Sequence, residues 1–170
     1  MASLMEVLLS TMKAEEALYQ QLIDLSDDKR KTVIQGRIDD LEKISAKEQE
    51  IADSLKSLEN KRVSTLKDMA VVTGHDGQNV TVTQLIEMLS GQPEQQKLLT
   101  EARDSLVRTA NTMQFQNQQT QVLLQQALEL VEFDLTLFKS LKQAPETANY
   151  NKDAYSTGDL LGGGGFDAKQ

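Results

Sequence analysis

Cysteine and tryptophan are absent from the 170 residues, histidine occurs once and proline twice. Without cysteine there is no disulfide, no thiolate nucleophile and no thiolate metal site. His75 alone cannot assemble a histidine-based metal cluster. With proline confined to Pro93 and Pro145 and glycine sparse before residue 158, long uninterrupted helices are permitted almost everywhere. Aromatics make up 4% and apolar residues 39%, which is thin supply for a deep core, so a slender fold is expected. No run of 18 apolar residues occurs, and the opening M-A-S-L-M-E-V-L-L-S lacks a basic region ahead of a long apolar core. Neither a membrane span nor an export signal is therefore expected, and the expected location is cytoplasmic. Clustered Lys and Arg are missing too: the net charge is −8 with no basic stripe, which argues against a nucleic-acid partner.

What is present is helical periodicity. Residues from about 3 to 35 form a first segment with Leu4, Leu8, Met12, Leu18, Leu22 and Leu25 at its apolar positions, and Gly36 stops it. From Ile38 to about Ala70 a three-four alternation runs through Leu41, Ile44, Glu48, Ile51, Leu55, Leu58, Arg62, Thr65 and Met69. That is coiled-coil spacing, with Glu48, Arg62 and Thr65 polar at seam positions. The stretch V-V-T-G-H-D-G-Q-N-V-T-V-T reads as a connector, after which Thr83 is expected to cap a short helix T-Q-L-I-E-M-L closed by Gly91. Pro93 opens a third long helix expected to reach about Lys142. The fold class expected is all-α: an elongated, antiparallel, coiled-coil-like bundle of three long helices, with a short connector helix. Residues 1–142 form that domain, and residues 143–170, rich in polar residues and glycine, are expected to be a tail disordered on its own.

The third long helix carries more apolar surface than one partner needs. At 100° per residue, Leu128, Val131, Leu135 and Phe138 lie within about 40° of Leu124, which makes one ordinary seam. Leu123, Leu130, Leu137 and Leu141 fall at about −100° to −140°, so the apolar face spans about half the cylinder, interrupted by Asp134. Faces of that width mark interaction sites, although burial by the short helix or by a second copy is an equally open reading. Asn117 and Thr120, polar at seam positions, either fix helix register or meet a ligand's backbone, and register is favoured for Asn117.

Enzyme readings find little support. The carboxylates lie mostly outside the seams, as on a solvated helix face. His75 sits between Gly74 and Gly77 in a connector, whereas a phosphotransfer histidine is presented from a helix. Glu15 with Glu16, or Asp39 with Asp40, lacks the Glu-x-x-His partner of a di-metal site. The run Gly162 to Gly165 is not followed by the Lys-Ser/Thr pair of a phosphate loop. No catalytic residue, metal or cofactor is assigned.

Two stretches resemble the FlgN family of flagellar type III export chaperones. One is K-R-K-T-V-I-Q-G-R-I-D-D-L-E-K-I-S-A-K-E-Q-E-I-A-D-S-L-K-S-L-E-N-K-R, with its glycine, its D-L-E turn and its closing L-E-x-x-R at Leu58, Glu59 and Arg62. The other runs from Asn117 to Gly158 and is similar to that family's N-x-x-N-x-x-L-L helix and Tyr-Gly tail, with Thr120 in place of the second Asn. The resemblance implies a chaperone that holds the hook-filament junction proteins FlgK and FlgL by their C-terminal helical segments and brings them to the export apparatus. The implied partner surface is Asn117, Thr120, Leu123, Leu124, Leu128, Val131, Leu135 and Phe138. It also implies a tail tyrosine that meets the export gate protein FlhA, with Tyr150 favoured over Tyr155. The alternative is a structural coiled-coil adaptor that oligomerises through the same apolar face, and a weak homodimer stays open.

Overall fold

The computed structural model describes residues 2–148 of the chain, with side chains for residues 4–142. Helices fill it: α1 (Ala2–Gln35), α2 (Ile38–Val72), α3 (Val82–Met88), a 3-10 turn (Leu89–Gly91) and α4 (Pro93–Ala148). No strand occurs among the described residues. The chain divides into two compact units, Met1–Leu124 and Gln125–Gln170, with the division inside α4. The tail expected from Gln143 lies outside the described side chains, and α4 itself runs to Ala148 rather than Lys142. Pro145 does not end it, because a proline this near a helix terminus removes a single backbone bond, that to the Leu141 carbonyl.

In the first unit, α1 and α2 are joined by two residues. Gly36 adopts φ +68, and the N–H groups of Gly36 and Arg37 bond to the carbonyls of Val33 and Thr32, both at 3.1 Å. This is the left-handed glycine cap that sends α2 back along α1. Two cross-helix ion pairs fix the register of the hairpin. Lys29 Nζ donates to Glu48 at 3.0 Å, and Arg62 Nε donates to both carboxylate oxygens of Glu15 at 3.1 and 3.0 Å. Glu48 and Arg62 are two of the polar seam positions; the third, Thr65, is buried and bonds its hydroxyl to the Lys61 carbonyl of its own helix at 2.8 Å. Every seam residue of α2 from Leu41 to Met69 is at least partly buried.

Gly74 repeats the same kind of cap at the end of α2, and the backbone N–H of His75 closes it on the Ala70 carbonyl at 2.8 Å. The short helix α3 starts earlier than expected: Thr81, not Thr83, is its N-cap, with Gln84 completing a reciprocal capping box. Only Thr81 has a Gln three residues on; Thr83 has Ile86 there, which has no amide to return. The core gathers Met5, Leu8 and Met12 of α1, Leu66 and Met69 of α2, Leu85 and Ile86 of α3, Leu89, and Leu99 of α4.

Candidate functional site

The early part of α4, inside the first unit, is held along α1 by hydroxyl groups. Ser105 and Thr109 both donate to Glu16 Oε1, Thr109 at 3.2 Å. Further along, the hydroxyls of Ser26 and Thr120 lie 2.7 Å apart and are buried together. Glu16 to Ser26 on α1 matches Ser105 to Thr120 on α4 in order, so the two helices run in the same direction here. Thr120 thus acts in register, the role favoured for Asn117 from the sequence. Asn117 is exposed, its amide meeting only Met113 Sδ at 3.1 Å. A single hydroxyl pair of this kind contributes about 1 kcal/mol, and leaving one partner unmatched inside costs more.

Beyond Leu124 the burial pattern changes. Leu123 and Leu124 are half-buried, and every side chain from Leu128 to Lys142 is exposed. Among these, Leu128 is 59% exposed, Val131 53%, Leu135 54% and Phe138 61%, the residues of the expected seam. Leu130, Leu137 and Leu141, which make the second stripe, are equally open. Phe133, outside the expected face, is 63% exposed and opposite Leu124 on the helical wheel, while the sector through Lys139, Glu132, Thr136 and Glu129 is polar. The position of Phe133 is legible in the same 100° projection. Tyr150, the expected gate contact, lies outside the described residues, as does Tyr155.

A second feature of the first unit was not legible beforehand. A groove of about 650 Å³ is lined by Met12, Glu15, Tyr19, Arg62, Leu66 and Leu106, among others. Burial pushes the Glu15 carboxyl above its ordinary range, with the Arg62 guanidinium pulling it back. Tyr19 is raised as well, by burial first and by the Glu15 charge second. Within the groove Glu15 and Arg62 are engaged with one another, and among the described residues no group of three or more histidine or acidic side chains is placed to hold a metal ion.

The described residues thus make an all-helical protein with paired polar seams in the first unit and an exposed apolar stretch in the late part of α4. The family model described as FlgN protein matches residues 1–157, nearly the whole chain, and the protein belongs to the FlgN family. Membership gives the coarse function of a flagellar export chaperone, in a family of chaperones rather than enzymes. No curated protein and no solved structure matches the sequence. No described helix is long and apolar enough to cross a membrane.

Proposed function

We propose that the protein is a cytoplasmic chaperone that receives the C-terminal helical segments of the junction proteins FlgK and FlgL on the late face of α4 and delivers them to the type III export apparatus. The observation that carries the reading is the unbroken exposure from Leu128 to Lys142 in a chain of this family. An amphipathic client helix lies against Leu128, Val131, Leu135 and Phe138; Asn117, Leu123 and Leu124, also expected in the partner surface, belong to the first unit. Thr120 serves from inside, by holding α4 on α1 through Ser26. The three long helices act as a bundle. Tyr150 in the tail meets FlhA, so that client holding and gate docking use separate parts of the chain.

Full burial of each large apolar side chain contributes about 1.5–3 kcal/mol before ordering costs, which are several kcal/mol, so the complex is releasable. Replacing Leu128 and Leu135 together with Asp is expected to weaken binding of FlgK and FlgL C-terminal peptides by about 100-fold or more, because two anchors are lost. Both positions are exposed, so helicity by circular dichroism stays as in the parent. Unchanged affinity in a fluorescence titration would remove the proposal. The adaptor reading uses the same apolar face together with Leu130 and Leu137, which one client helix on the Leu128 stripe leaves open. A stable higher oligomer in light scattering, insensitive to dilution and to client peptide, favours the adaptor.

A further inference from the structure

The charged residues of the open stretch come in a fixed order: Glu129, Glu132 and Asp134 first, Lys139 and Lys142 last. The helix macrodipole does not account for it, since its influence fades within the first and last turns and Glu129 is far inside α4. Pairing within the helix does not account for it either. None of Glu129, Glu132, Asp134 or Lys139 has an opposite charge three or four positions away, the spacing at which helix charges meet. Elsewhere the chain does use that spacing, as in Arg37 with Asp40, Lys56 with Glu59 and Lys97 with Glu101.

Reversed in direction, this stretch is its own complement. Glu132 and Glu129 stand as far before the midpoint between Leu135 and Thr136 as Lys139 and Lys142 stand after it. At 100° per residue, Glu132 and Lys139 also fall about 20° apart on one flank of the Leu128, Val131, Leu135 and Phe138 stripe. In a pair of antiparallel helices related by a two-fold axis, the same flank of each meets the other.

We infer that, when no client is bound, the late face of α4 is covered by the same face of a second copy of this chain, antiparallel, with the two-fold axis level with Leu135 and Thr136. Glu132 of each copy then stands opposite Lys139 of the other, and the Leu128, Val131, Leu135 and Phe138 stripes interleave. A parallel pair would instead turn the Glu132 and Lys139 flank toward the partner's opposite flank, where Asp134 is the one charge, and Glu132 would find no Lys there. Asp134, on the other flank, meets its own mate, a like-charge contact that keeps the pair weak enough for a client helix to displace. The inference rests on the client reading of this face, since client and second copy compete for it.

The test is a charge-swap mixture measured by sedimentation equilibrium of the full-length chain. Glu132→Lys alone and Lys139→Glu alone each set like charges at both flank contacts, and each is expected to weaken the homodimer about tenfold or more. Mixing the two variants restores opposite charges at both contacts, and the heterodimer is expected to match the parent dimer. A parent that stays monomeric, a dimer indifferent to either reversal, or a mixture no tighter than its components overturns the inference. FlgK C-terminal peptide titrated into the parent is expected to turn dimer into one-to-one complex. If the peptide does not bind while the mixture pairs, the client reading fails and the self-pairing stands; if it binds while the mixture does not pair, the reverse holds.

Discussion

Residues 93–124 and residues 125–148 of α4 share one uninterrupted helix and a comparable supply of leucine and valine, yet they are covered differently. In the first stretch Leu99 is fully buried, Ala102 and Leu106 pack against the core, and Thr120 is 3% exposed with its hydroxyl matched. In the second, Leu128, Leu130, Val131, Phe133, Leu135, Leu137, Phe138 and Leu141 range from 48% to 63% exposed. Helix formation is a local decision, made by backbone bonds and the absence of breakers, whereas burial depends on what else is near. A leucine at the right phase of a wheel therefore reports a face, and only the neighbours say whether that face is core or offer.

The sharpest way to break this contrast is to truncate the same residue type on both sides of the division. Leu99→Ala is expected to cost about 3 kcal/mol in urea unfolding, because it removes a fully buried side chain and leaves a cavity. Arg62→Ala comes next, at about 2 kcal/mol at neutral pH, since it strips the partner from a buried carboxylate. The pH dependence has a definite sign. Burial raises Glu15 in the folded state, so the folded chain holds that proton more tightly than the unfolded one, and the stability linked to it is present at low pH and falls as pH rises through the raised value. Loss of Arg62 pushes the carboxyl higher still, so the deficit of the variant is expected to shrink as the pH drops below the usual carboxylate range. A deficit that grows in acid would contradict the assignment.

Thr120→Val is smaller, about 1 kcal/mol, as it leaves the Ser26 hydroxyl without its best partner. Smallest of all is Leu135→Ala, expected to lie within about 0.5 kcal/mol of the parent, since an exposed side chain with no cover has little folding energy to lose. A cost near that of Leu99→Ala would mean that the late face is sheltered in the free protein, and its disappearance on dilution would point to the second copy.

Much of the architecture was legible because it rests on short-range rules. The glycine stop at Gly36, the α2 seam and the Pro93 start all follow from residue type and spacing. The differences also have short-range causes: the cap falls at Thr81 because Gln84 stands three residues on, and α4 passes Lys142 because Pro145 sits in its final turn. The pairing of Glu15 with Arg62 was not legible, because nothing in one helix says which residue of another lies across from it. Arg62 was noticed as a polar intruder in a seam; only the hairpin register names its partner. For the open face the leucine spacing carries the two stripes and their phase, while Phe133 stands outside both, opposite Leu124.

The equal spacing of the two ion pairs along the α1–α2 hairpin, Glu15 to Lys29 on one arm and Glu48 to Arg62 on the other, has an outcome for chain-length variation. One residue gained beside Gly36 falls in open space, where a longer joint can bulge while both bridges stay in line. The same change between Glu15 and Lys29 rotates one bridge out of line while sparing the other. Insertions in this arm are therefore tolerated at the bend and punished on the straight.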